Sequence, residues 1–208
     1  MPSSRYEHIS DLVGLIQSLQ PTSLLDVGCG FGRWGFLARE FLDIFYGRYE
    51  QDQWQLRLDA VEIFPDYIKS HHRYIYNHIF LGDIQSLLPE LDKYDVIIAG
   101  DVIEHLEKDA GIVIVQQLRG LACKGLIVAI PIGNQWSQED VFGNPNEKHR
   151  SIWQLADLRK LDASAIKVYR LSDHRPYAVA LWAADNIARG FIGGPYSRIL
   201  NNLRSMGT

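Results

Sequence analysis

The chain is poor in cysteine. Its two, Cys29 and Cys123 among 208 residues, are too few for a disulfide framework and fit a reducing compartment. It also lacks any excess of positive charge, since 21 Lys and Arg stand against 25 Asp and Glu, a formal net charge of −4. Without a basic block, a dedicated nucleic-acid binder is not expected. No apolar run approaches the ~20 residues that a membrane-spanning helix needs. Met1 to His8 carries no apolar stretch of the signal-peptide kind. Repeats and low-complexity segments are also missing. At 47% hydrophobic and 22% charged residues, the composition is that of a folded globular chain and excludes a disordered or fibrous one. The expectation is a cytoplasmic protein built around one core.

What the chain does show is alternation. A helical stripe over residues 4–20 ends at Pro21, and residues 23–27 read as a short buried strand closed by glycines. Helices are expected at 33–46, 65–74, 84–91, 108–122 and 151–161, and strands at 54–63, 79–81, 94–100, 124–132, 165–171 and 177–183. Residues 47–53 break the pattern as a polar insertion, and 133–150 form a polar loop long enough to be functional. Five strands alternating with helices predict an α/β, Rossmann-like, doubly wound and mostly parallel sheet. The last two strands, joined by the turn Asp173-His-Arg-Pro176, complete seven as an antiparallel C-terminal edge hairpin. One domain is predicted over 1–208, with a leading helix to 20, a core over 21–185 and a tail over 186–208. The tail reads as loop from Ile187 with a short helix around 197–204. Its Phe191, Ile192 and Tyr196 are candidates to cover the pocket or to meet a second copy in a homo-oligomer.

The strongest motif is Asp26-Val-Gly-Cys-Gly-Phe-Gly32. Gly28, Gly30 and Gly32 let the backbone turn sharply after a strand and approach a ligand, and a helix N-terminus follows at Arg33. Gly30-Phe-Gly-Arg-Trp-Gly35 also matches the dinucleotide pattern G-x-G-x-x-G, which would make the chain an NAD(P)-dependent oxidoreductase. That pattern wants its first glycine directly after the strand and an acid about 20 residues on at a strand end. Here Gly28-Cys29 intervenes, and the strand-end acid is the more distant Glu62. Asp26 before the loop would repel a phosphate and suit an ammonium group.

The glycine motif resembles motif I of the class I S-adenosylmethionine-dependent methyltransferases. Val61-Glu62, Gly82-Asp83-Ile84 and Asp101-Val-Ile-Glu-His105 follow the second, third and fourth strands in the order of that family. The resemblance spans roughly residues 20–185 and implies S-adenosylmethionine as cofactor. It implies that Asp26, Gly28 and Gly30, with Cys29 and Gly32 in the same turn, hold the methionine end. Glu62 would take the ribose hydroxyls and Asp83, after Gly82, the adenine amino group. Ile63 or Phe64 and Ile84 would line the ring, and Asp101 would border the same site. Each role suits its chemistry, since a carboxylate accepts from hydroxyls and from an exocyclic amine.

The acceptor side is expected beyond the fourth strand, with His105 as base, Glu104 orienting it and His149 close by. The small-RNA 2′-O-methyltransferases and some ubiquinone-pathway O-methyltransferases carry a similar acid-x-x-Glu-His group that holds a divalent metal. Asp101, Glu104, His105 and His149 are similar to that ligand set, with a shorter Asp at its first position, so a metal is the secondary expectation. Asn144-Pro-Asn-Glu-Lys-His149 and Trp153 also resemble bacterial small-molecule methyltransferases found beside sugar-building enzymes. The reading is methyl transfer to a small-molecule hydroxyl, a sugar or related metabolite, with no membrane or nucleic-acid partner. The alternatives are the oxidoreductase and a non-catalytic cofactor-binding protein of the same fold.

Overall fold

The structure is a computed structural model that describes residues 5–139 and 143–193. Seven strands, β1 (Ser23–Val27), β2 (Arg57–Glu62), β3 (His78–Leu81), β4 (Tyr94–Gly100), β5 (Ala122–Pro131), β6 (Ala165–Arg170) and β7 (Pro176–Ala183), form one sheet. Their order is β3-β2-β1-β4-β5-β7-β6. The first five are mutually parallel, and β7 runs antiparallel between β5 and β6. This is the expected mostly parallel sheet with an antiparallel C-terminal edge.

Helices α1 (Ile9–Leu19), α2 (Arg33–Leu42), α3 (Ser70–Ile75) and α7 (Asp185–Gly193) cover one face. On the other lie α4 (Ile84–Leu87), α5 (Lys108–Leu121) and α6 (Leu155–Lys160). The central strands are mostly apolar because each face has its own core. In β4, Val96 and Ile98 enter one cluster while Ile97 and Ala99 enter the other, the two-residue period of a strand buried on both sides.

Several boundaries differ from the sequence expectation. Helix α2 stops at Leu42 and β2 starts only at Arg57, because the fully buried Asp43 gathers Arg39, Arg48 and the Gln55 amide into a polar knot. The expected helix at 65–74 is a 3₁₀ turn, Pro65–Tyr67, followed by α3. The loop expected from Ile187 is instead helix α7, with Ala188 and Phe191 buried against the core, so Phe191 is an internal contact rather than a cover or a dimer contact. The helix expected at 197–204, and Tyr196, lie outside the described residues. Among the described residues no helix is long and apolar enough to cross a membrane.

Strand order reverses between β1 and β4, the switch point at which open α/β sheets bind ligands beyond the carboxyl ends of their strands. One tight packing supports that point from behind. Gly35 in α2 lies under Tyr76, and a Cβ there would sit 2.2 Å from the Tyr76 hydroxyl. Tyr76 cannot readily yield, since its hydroxyl donates to buried Asp26 at 2.6 Å. Gly35→Ala is expected to lower stability by about 1–3 kcal/mol in urea unfolding. An unchanged midpoint would mean that Tyr76 moves aside without cost.

Candidate active site

Beyond the ends of β1, β2, β3 and β4 lies a cavity of about 700 Å³, within the range of small-molecule sites. Its floor is the turn after β1. Gly28 has φ +69 and its absent Cβ would lie 2.6 Å from Val102, so neither the backbone nor the space admits a side chain. The amides of Gly28 and Cys29 both donate to Val61 O, at 2.8 and 3.2 Å. Glu62 completes the turn from the next strand. It is 4% exposed, and its two oxygens accept from the amides of Gly30 and Phe64, each at 2.9 Å. Burial pushes its carboxyl up, opposed by those two bonds and reinforced by the charge of Glu147. Oε2 also receives the Cys29 thiol at 3.9 Å, and Oε1 retains a lone pair for a ligand hydroxyl.

Of the residues expected to hold cofactor, Gly28, Cys29, Gly30, Glu62, Ile63, Gly82, Asp83, Ile84 and Asp101 line this cavity. Asp26, Gly32 and Phe64 are not among its lining residues. Asp26 is wholly buried and bonds inward, accepting from the Gly35 amide and the Tyr76 hydroxyl. Asp83 is the N-cap of α4, accepting from the Gln85 amide at 2.9 Å and from the Gln85 side chain at 3.1 Å.

The other half of the cavity is built around the turn after β4. Asp101 has φ +53, a left-handed conformation uncommon outside glycine, of the kind that concentrates at functional sites. Its Oδ1 accepts from Tyr177, 2.8 Å away. Glu104 is 1% exposed. Neither of its carboxyl oxygens has a hydrogen-bond partner among the described residues, and burial together with the Asp101 charge pushes it far above the usual range. His105 and His149 meet edge to face with ring centroids 5.0 Å apart. Nδ1 of His105 lies 3.1 Å from Lys148 O, and Nδ1 of His149 lies 3.3 Å from Trp136 O. With the proton on Nδ1, each lone pair sits on Nε2. Burial lowers both imidazole pKa values and so favours the neutral rings.

Donor atoms of Glu104, His105 and His149 lie within 4.8 Å of one another. Asp101, expected as a fourth ligand, is outside that group. Among the cavity residues that sequence reasoning missed are Tyr67, Trp34 and, as an individual side chain, Glu147. Glu147 lay inside a motif already noted, whereas Tyr67 and Trp34 carry no local signal.

No family profile and no curated protein sequence matches the chain. Solved structures do. The N-terminal domain of EvdMO1, determined with S-adenosylhomocysteine and D-fucose, is similar with a TM-score of 0.59 and 12% identity over 88% of this chain and 85% of that one. Magnesium protoporphyrin IX methyltransferase from Synechocystis, with bound S-adenosylmethionine, gives 0.54 and 16% identity over 84% and 77%. The methyltransferase domain of a bacterial Hen1 gives 0.51 and 14% over 85% and 96%. The chain therefore has the fold of the class I S-adenosylmethionine-dependent methyltransferases.

Burial has a measurable consequence at Asp26, whose carboxyl is raised from 3.8 to about 6, chiefly by desolvation. A carboxyl raised in the folded state binds more protons there than in the unfolded chain. Its contribution is therefore intact below pH 4 and is lost as pH rises through 6, at a cost of about 3 kcal/mol. His8, pushed down to about 4 by burial, gives the opposite slope, so a variant must isolate the effect. Asp26→Asn is expected to gain on the wild type in urea unfolding as pH goes from 4 to 7. A difference that stays constant with pH would contradict the buried charge.

Proposed function

We propose that the chain transfers a methyl group from S-adenosylmethionine to a hydroxyl of a small-molecule acceptor. One observation carries this reading, the Glu62 carboxylate clamped onto the glycine turn inside a cleft of the class I methyltransferase fold. The same clamp argues against a dinucleotide. The Gly30 amide that opens the G-x-G-x-x-G stretch is already bonded to Glu62, a buried carboxylate that would repel a phosphate brought to this turn.

In this reading Glu62 takes the ribose hydroxyls, and Asp83, Ile63 and Ile84 surround the adenine. The amino-acid end of the cofactor is zwitterionic. Asp101 faces the cavity with Arg33, whose charge it stabilises, and the two offer one group of each sign. Asp26 acts from beneath by fixing α2. Methyl transfer is an in-line displacement in which the acceptor oxygen attacks the methyl carbon, the carbon–sulfur bond breaks and sulfur keeps the pair. The acceptor proton passes to a neutral His105 or His149. A sugar or related metabolite as acceptor is supported by the Asn144–His149 motif and by the likeness to a domain determined with D-fucose.

A second reading is favoured by one cluster. Glu104, His105 and His149 converge, the buried Glu104 oxygens have no hydrogen-bond partner among the described residues, and mixed carboxylate and imidazole donors suit a divalent cation. These three residues would hold it, and it would supply Lewis acidity toward the acceptor hydroxyl.

Isothermal titration is expected to show S-adenosylhomocysteine binding, weakened about 10- to 100-fold by Glu62→Ala. No binding by the wild type at millimolar ligand would end the methyl-donor reading. With an acceptor found by screening sugars and other alcohols for S-adenosylhomocysteine release, chelation and dialysis are expected to leave turnover intact. Loss of turnover that Mn²⁺ restores would instead establish the metal reading.

A further inference from the structure

The buried carboxyl of Glu147 has no place in the chemistry above. It is 6% exposed and lies with Tyr67 and Asn144, 5% and 1% exposed, in a polar cluster that lines the cavity. Its Oε1 accepts from the Tyr67 hydroxyl at 2.9 Å and from Asn144 Nδ2 at 3.3 Å. Tyr67 ends the turn that follows Glu62, on the cofactor side, whereas Glu147 belongs to the loop after β5. The bond thus joins elements 80 residues apart across the cleft.

Burying a carboxyl costs free energy that an apolar contact would avoid, so a loop that only needed fastening would be better held by apolar side chains. Position supplies the reason. The carbonyl of the next residue, Lys148, receives Nδ1 of His105, and the residue after it is His149. The stretch is held by several bonds. Pro145–Glu147 is a 3₁₀ turn capped by Asn144, which accepts from the Asn146 amide. Gln138 clamps it from outside, its side chain donating to Glu147 O at 2.7 Å and its carbonyl accepting from the His149 amide at 2.9 Å. A displacement of Glu147 therefore carries both the carbonyl that orients His105 and the His149 ring.

We propose that Glu147, held by Tyr67 and Asn144, is a positioning residue that ties occupation of the cofactor half of the cleft to the alignment of the His105–His149 pair. It rests on the methyl-donor reading. Glu62 holds the Phe64 amide at the start of the turn that Tyr67 ends, and Tyr67 donates to Glu147, so ribose hydroxyls accepted by Glu62 bear on Glu147 through this turn only when the ligand is bound. That difference between free and bound states is what a ligand needs in order to bias a conformation.

The test uses the full chain with S-adenosylhomocysteine as probe, following binding by titration and the two imidazole rings by nitrogen-15 NMR. In the wild type the probe is expected to shift both ring signals. In Tyr67→Phe and in Glu147→Ala it is expected to bind within about threefold of the wild-type affinity while those shifts disappear, and kcat should fall about tenfold with little change in KM for the donor. Glu147→Gln, which keeps an oxygen for Tyr67 and Asn144, is expected to restore the shifts. Full shifts in both Tyr67→Phe and Glu147→Ala, or a wild type that binds the probe with unmoved rings, would overturn the proposal. A wild type that does not bind the probe at all fails the methyl-donor reading instead, a result visible in the titration alone.

Discussion

The cleft depends on one carboxylate reaching sideways from β2. Glu62 holds the Gly30 and Phe64 amides at once and so fixes the turn after β1 relative to the turn after β2. The consequences run around the cavity. With the turn fixed, Gly28 sits directly against Val102, which sets the start of the turn that carries Glu104 and His105. The Glu104 carbonyl then receives the amides of Arg150 and Ser151 at 2.9 and 3.0 Å, seating the far end of the loop after β5. Tyr67 closes the circuit by returning from the β2 side to Glu147. Four strand ends are thereby linked around the cavity by polar contacts and by the close packing of Gly28 on Val102.

The parts of this design legible in the sequence are those governed by local pattern. β1, β4, β5 and β7 were readable because strands buried on both faces carry few polar residues, and the glycine turn because few other residues tolerate its backbone. The misread parts belong to long-range contacts. Residues 43–56 lost their helix and strand ends to the buried Asp43 and its three donors, which no periodicity reveals. α7 forms although it contains Gly190 and Gly193, because burying Ala188 and Phe191 outweighs their weak helix propensity. Asp26 stands at the position of a ligand-binding acid, yet its partner is Tyr76, 50 residues away. The acceptor half was legible in composition but not in geometry. Asp-x-x-Glu-His named the residues, and only the folded chain shows Asp101 turned to Tyr177 while Glu104 joins the two histidines.

The electrostatics follow from the same construction. Asp26, Glu62, Glu104 and Glu147 all have carboxyl pKa values raised by burial. Such a concentration of reluctant anions is a cost in stability of the kind that accompanies function. It also selects among ligands. A sulfonium and an ammonium group lower the cost of ionising these carboxyls, whereas a phosphate would raise it. In the proposed reaction the sulfonium charge disappears when the methyl group leaves. In that reaction the cavity-lining carboxyls, Glu62, Glu104 and Glu147, would favour the charged donor over the neutral product.

The long loop after β5 follows from what the histidines require. An imidazole works as a base, or as a ligand, only if its tautomer is fixed, and the simplest fixing group is a backbone carbonyl at Nδ1. A regular helix or strand consumes its own carbonyls and has none to lend. Lys148 O and Trp136 O can serve His105 and His149 because they lie in irregular chain. Irregular chain beside a cavity must in turn have its own polar groups satisfied, and Gln138, Asn144 and Glu147 do this from within the loop. Its polarity and its asparagine- and glutamate-bearing turn then go with one arrangement, two oriented imidazoles that line the cleft.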